Sequence, residues 1–319
     1  MKKVFLSAAI IISFFCNAQD KKYKYGDIAL FNKGIAVYDL IDEGLYLNNK
    51  IREADTISIE GKKEHKNILD MRESVLERSL GYFTMLIKDY PKSTLYFMAL
   101  YNKAELENEL EDYEAAKKTY IEILNSKAND KDPGGLGSGI MAEPYTNYKN
   151  RACEALATIE YNAGNYNEAL KYLKLTEKHH YQHFCGNAIA AQEIYMAQQY
   201  AKNYIKLNQK QEALTVLMPH ILSNGLADND NLVKVAAKTF KDQYGNEKAK
   251  TEFAEIVKSI HHKKTTVGKN EYDEFFVNLA GKEIKIEMPM MAYAETPDAE
   301  RAIMIEQLNK SDFNKLLNE

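Results

Sequence analysis

The sequence predicts an all-α protein: a solenoid of helical hairpins with a small C-terminal cap that has room for a β-hairpin. Three observations carry this expectation. In residues 155–173, ALATIEYNAGNYNEALKYL, Ala157, Gly164, Tyr166 and Ala169 follow one another at spacings of seven, two and three. Small side chains at Ala157 and Ala169 let two antiparallel helices approach closely, and Gly164-Asn165 supplies the turn, where positive φ is cheap. Pairs of small residues recur along the chain, at Ala104 and Ala116, Ala201 and Ala213, and Ala237 and Ala249. Apolar–polar alternation, the signature of a half-buried strand, is clear only late, at Ile284, Ile286 and Met288.

The Ala157, Gly164-x-Tyr166-x-x-Ala169 pattern resembles a tetratricopeptide (TPR) repeat, a unit of about 34 residues. The resemblance implies a right-handed superhelix that serves as an interaction scaffold, with no catalyst. It extends over roughly residues 61–264, taken as the repeat array. The ending Tyr90-Pro91-Lys92-Ser93 is similar to that of envelope TPR proteins that help assemble cell-surface complexes.

Taken in order, residues 1–18 read as a secretory signal. Lys2 and Lys3 precede a nearly apolar run from Val4 to Phe15, too short to span a bilayer. Cys16-Asn17-Ala18 places cleavage after Ala18 and the mature protein in the periplasm or outside the cell. A lipid on Cys16 is the alternative, disfavoured by Phe15 before it, and an uncleaved anchor helix is another. Removing the two lysines leaves 40 basic against 46 acidic residues, a net charge of −6. That balance argues against a nucleic-acid partner. No later run is apolar enough for a membrane span after cleavage.

Residues 19–60 form an N-terminal helical segment, with apolar residues from Ile28 to Leu45 at helical spacing. The stretch from Ile51 to Lys66 is a second helix or a loop, and Thr56 to Ile59 hints at a short strand. The first repeat ends at Pro91, which places Ser79 at the small position of a second helix and Phe83 at the large one. Its first helix is expected near residues 60–70. The second repeat runs from about Thr94, with Glu111-Asp112 replacing the usual turn glycine before Tyr113. The interval from Tyr113 to Tyr166 is 166 − 113 = 53 residues, 19 beyond a 34-residue period, and holds the glycine-rich insertion Ala128 to Pro144. Pro144 suits the first turn of the third repeat's first helix. The fourth repeat turns at Asn208 and the fifth at Tyr244-Gly245-Asn246. Residues 265–319 form the cap that a solenoid's open end requires, with a hairpin turn at Ala280-Gly281-Lys282 and one or two helices between Thr296 and Leu317.

In TPR proteins the first helices line a concave face that holds a peptide. By register the resemblance puts Tyr101, Glu105, Asn108, Glu154, Thr158, Tyr161, Gln198, Lys202 and Ile205 there as partner-binding residues. Tyrosine mixed with polar groups suits a protein or peptide partner and equally a solvated surface.

Other candidates are weaker. Gly134 to Gly139 follows a helix and lacks a P-loop lysine, so it reads as a flexible loop. In KHHYQHFCGN, His179, His180, His183 and Cys185 are metal-ligand types, but their spacing fits no zinc pattern; an inter-repeat connector is expected, with Phe184 packed inward. No metal or other cofactor is expected. Connectors between hairpins leave a solenoid on one edge, so the Gly-rich and His-rich segments are expected to be neighbours, with Cys153 near Cys185. A small-ligand or metal site at that edge is the alternative function. The two cysteines form one disulfide or stay as buried thiols. There is no His-Glu-x-x-His and no Gly-x-Ser-x-Gly, and the expectation is no enzyme.

Overall fold

The computed structural model describes residues 24–135, 142–267, 270–289 and 294–319. The signal-peptide residues 1–18, Cys16 included, and residues 136–141 of the glycine run lie outside the described residues. The chain divides into two compact units, residues 1–128 and 129–319.

In the first unit, helix α1 (Gly26–Asp39) passes through a π-helical turn (Leu40–Gly44) to α2 (Leu47–Glu53). Ser58 then caps α3 (Ile59–Asp89), its hydroxyl accepting from the Gly61 N–H at 3.0 Å. Pro91 follows the C-cap residue Tyr90 at the end of α3. A hairpin of α4 (Tyr96–Glu109) and α5 (Tyr113–Asn125) completes the unit. Its turn sets Glu111 at φ 60°, and the Asp112 carboxylate caps α5 by accepting from the Ala115 N–H.

Two expectations are corrected here. Residues 60–70 are the opening turns of the single α3, not a separate first helix, and Thr56 to Ile59 forms no strand. Asp55 takes those backbone groups instead, accepting from the N–H groups of Ile57 and Ser58. The helix that pairs with the second half of α3 is α1. Gly34 is its small position: a Cβ there would lie 2.6 Å from the Phe83 ring. Ser79 and Phe83 do occupy the small and large positions of the partner helix, both buried. Gly34 and Ser79 are 45 residues apart, against 116 − 104 = 12 for Ala104 and Ala116. The first hairpin therefore carries a 33-residue insertion between its two packing positions.

The second unit holds three hairpins: α6 (Tyr148–Asn162) with α7 (Tyr166–Leu175), α8 (Gly186–Lys206) with α9 (Lys210–Leu217), and α10 (Asp230–Tyr244) with α11 (Asn246–Lys258). The paired alanines are buried at every crossing, Ala157 and Ala237 at 4% and 3% exposed and Ala169, Ala201, Ala213 and Ala249 at 0%. Gly164, Asn208 and Gly245 turn with φ of 82°, 58° and 83°. Pro144 lies before α6 rather than in its first turn; the helix starts four residues later, after Asn147 in the left-handed region.

The cap is an antiparallel sheet, β1 (His261–Val267), β2 (Asn270–Leu279) and β3 (Lys282–Ile286), followed by α12 (Pro297–Lys310) and α13 (Asp312–Asn318). Leu279 pairs with Lys282 around a two-residue turn, Ala280 at φ 49° and Gly281 at φ 81°, the geometry that matches strand twist. The sequence gives no sign of strand β1, whose first four residues are His-His-Lys-Lys; its pairing with β2 rather than an apolar pattern specifies it. Phe275, Val277, Leu279, Ile284 and Ile286 turn inward. Phe313 of α13 sits edge-on to Phe240 and Phe253, with centroids 5.6 and 4.9 Å away. The cap thus closes the apolar end of the last hairpin.

Candidate functional site

In the second unit the first helices of two successive hairpins, α6 and α8, share a polar stripe. Residues 150, 154, 158 and 161 recur every three or four positions and so lie on one face of α6. Opposite them, Gln192 donates from Nε2 to Glu154 Oε1 at 2.5 Å. Thr158 is hydrogen-bonded to Tyr195. The Lys202 ammonium stands 4.4 Å from the centre of the Tyr161 ring, which itself meets Tyr166 edge-on at 5.4 Å. Four of the expected residues, Glu154, Thr158, Tyr161 and Lys202, are therefore brought together. Gln198 is half-buried on α8, and Ile205 is 37% exposed near its end.

Burial shapes the charges of this stripe. It pushes the Glu154 carboxyl up to about 7, against the smaller opposing effects of the Gln192 hydrogen bond and Arg151. Burial also lowers the Lys202 ammonium below its ordinary value. Near neutral pH the stripe thus holds a carboxyl group able to be either donor or acceptor.

The expected residues of the first unit are placed differently. Tyr101 is 9% exposed, with its ring 6.4 Å from that of Tyr120. Glu105 accepts from the Tyr120 hydroxyl at 2.5 Å, and Asn108 is half-buried, its carbonyl accepting from the Glu111 N–H in the turn. Tyr101 and Glu105 thus serve the packing of α4 on α5. Below them lies a buried polar group that sequence reasoning missed: Thr119 donates to Glu107 at 2.6 Å, and Lys103 contacts both. Glu160, also buried, accepts from Asn165 at 2.8 Å. Glu107 and Glu160 each stand three residues after the small alanine of their helix, a repeated position that the sequence does display.

The connectors meet as expected. Asn147 and Asn150, 0% and 2% exposed, hold the His-rich segment against the start of α6. Asn147 Nδ2 donates to the Gln182 carbonyl and its Oδ1 accepts from the Gln182 N–H at 2.7 Å; Asn150 Nδ2 donates to the His179 carbonyl at 2.7 Å. From the base of the Gly-rich segment, Asp130 accepts from the Lys149 N–H, and Glu143 pairs with Arg151 and Tyr181. Neither asparagine stands out in the sequence, because single asparagines just before and within the first turn of a helix carry no periodic signal. Phe184, expected to pack inward, is 71% exposed, with its ring 5.2 Å from that of His183.

Cys153 and Cys185 are both free thiols. Among the described residues no three His, Cys, Asp or Glu side chains converge as metal ligands. His183 Nδ1 accepts from the Cys185 N–H instead, its ring stacked 5.9 Å from Tyr181. Among the described residues no helix is long and apolar enough to cross a membrane.

No family model matches the chain, and no curated protein matches it. Among solved structures the chain is similar to a tetratricopeptide repeat protein from Parabacteroides merdae, at 18% identity over 74% of this chain and 80% of that one, with a TM-score of 0.33. A likeness at that score carries no argument; the TPR-like character of the fold rests on its own hairpins, with their buried alanine pairs and positive-φ turns.

Proposed function

We propose that this protein is an exported helical-repeat scaffold that holds a protein or peptide partner in the bacterial cell envelope, and that the α6–α8 stripe is part of the contact surface. The observation that supports this reading most is the convergence of Glu154, Thr158 and Tyr161 with Gln192, Tyr195 and Lys202. Aromatic rings with polar tips, half-buried beside a lysine and a carboxyl group, are the composition that peptide recognition uses. Export rests on residues 1–18, and the scaffold role on what helical-hairpin repeats generally do.

The test is proximity crosslinking in the native envelope, followed by mass spectrometry. A dominant partner that disappears in Tyr161→Ala/Lys202→Ala supports the reading. No enriched partner, or a partner retained in full by that variant, counts against it.

A further inference from the structure

A pocket of about 430 Å³ opens beside the stripe, between the α7–α8 connector, α8 and the first turn of α6. We infer that it binds an organic ammonium group, a lysine-like –NH3⁺ on a short alkyl chain. The inference does not rest on the scaffold reading, because the pocket is complete within one stretch of the second unit.

The first reason is an unanswered acceptor. Asn150 is 2% exposed and lines the pocket, yet its Oδ1 has no hydrogen-bond partner. Its Nδ2 donates to the His179 carbonyl, which can only accept, so the amide cannot be turned round and the oxygen stays the end without a partner. A buried carbonyl oxygen left without a donor is costly, and its natural complement is an N–H or O–H brought in from outside.

The second reason is the company Asn150 keeps. Glu177 and Glu193 line the same pocket; among the described residues His180 is the one basic side chain in its wall, and no lysine or arginine lines it. The ligand's donor should therefore carry positive charge. Tyr181 and Tyr200 also line the pocket, and aromatic walls favour a cation. The Tyr200 hydroxyl lies 3.4 Å from Glu177 Oε1, which leaves the rest of that carboxylate available. Gln192 has its own amide nitrogen committed to Glu154. An ammonium thus fits the donor demand, the charge and the walls together; an anion would meet two carboxylates and the Asn150 carbonyl oxygen against the single imidazole of His180.

Two sources supply this group, a free amine and a lysine side chain of a peptide. Isothermal titration of the mature chain would use 1,5-diaminopentane for the first and acetyl-Gly-Lys-Gly-amide for the second. The inference expects saturable binding of at least one, weakened about tenfold or more in Glu177→Gln/Glu193→Gln. That double change is isosteric and lies at the edge of α8 and its connector, so its fold is checked by circular dichroism. The N-quaternised analogue of the bound probe, with equal charge and no N–H, is expected to bind at least about tenfold more weakly, because it cannot donate to Asn150. Binding of the diamine alone assigns a small-molecule site, and binding of the peptide as well assigns a lysine pocket. No binding of either probe, binding indifferent to the two glutamine changes, or equal binding of the quaternised analogue would overturn the inference and leave the Asn150 oxygen to a water. Crosslinking to a partner is unaffected by any of these results, so the two readings fail separately.

Discussion

The Ser79 hydroxyl donates to the backbone carbonyl of Gly34 at 2.8 Å, across the 45 residues that separate them. Both lie where two helices come closest, and the Phe83 ring fills the space a side chain at Gly34 would need. Gly34→Val is therefore expected to destabilise the first unit by about 1–3 kcal/mol through overpacking. Ser79→Ala should cost about 1 kcal/mol for the lost hydrogen bond. Urea unfolding followed by circular dichroism reads both. A wild-type midpoint in Gly34→Val would show that α1 does not pack against α3 at this point.

Glu154 makes stability depend on pH. Its folded-state value, about 7, lies above the ordinary carboxylate value of 4.5, so its contribution is fully present below about 4.5 and is lost as pH rises through 7. Glu154→Gln should then leave stability at pH 4 unchanged and raise it at pH 8 by about 1–3 kcal/mol, since each tenfold change in proton affinity on folding is worth about 1.4 kcal/mol. Denaturation midpoints of both proteins across that range decide it. Parallel curves would mean that Glu154 is solvated.

The turn residues give opposite signs. Gly164 has φ 82° with open space around it, so Gly164→Ala meets no clash and costs only the left-handed penalty of about 1 kcal/mol. Glu111 already bears that penalty at φ 60° in the equivalent turn of the α4–α5 hairpin, and Glu111→Gly should be neutral or stabilising by up to about 1 kcal/mol. Thermal melts of the two variants should move in different directions; a common loss would contradict the equivalence of the turns.

The two cysteines should differ in reactivity. Cys153 is fully buried, and burial pushes its thiol up to about 12, so little thiolate exists at neutral pH. Cys185 is only half-buried. Labelling of the native mature protein with a maleimide, read by peptide mass spectrometry, should modify Cys185 well before Cys153. Equal rates would show that α6 opens, and no labelling of either under non-reducing conditions would point to a disulfide.

Much of the array was legible because alanine pairs and turn residues are fixed by close approach and by φ, both of which narrow the choice of side chain. Ala157 with Ala169 and Gly164 between them announce a hairpin from the sequence alone. The first hairpin hid because Gly34 and Ser79 stand too far apart for any fixed period, and their intervening helix looks like an independent element. Strand β1 hid because His261 to Lys264 carries no apolar alternation. On the α6–α8 stripe, Glu154, Thr158, Tyr161 and Lys202 followed from register. Tyr101 followed the same register yet lies buried, because the ring of Tyr120 beside it gives it a packing partner. Asn147 and Asn150 act through loop carbonyls, which no pattern of side chains encodes.

The interlocked rings of Phe240, Phe253 and Phe313 also impose an order in time. Phe313 is synthesised 313 − 253 = 60 residues after Phe253, an interval of roughly 3–12 s at about 5–20 residues per second. Until it arrives, the rings of Phe240 and Phe253 at the end of the last hairpin lack the cover that Phe313 gives them. The nascent chain therefore passes through a sticky stage late in its production, when most of the molecule has already been made, and shielding of that one surface matters most in those seconds.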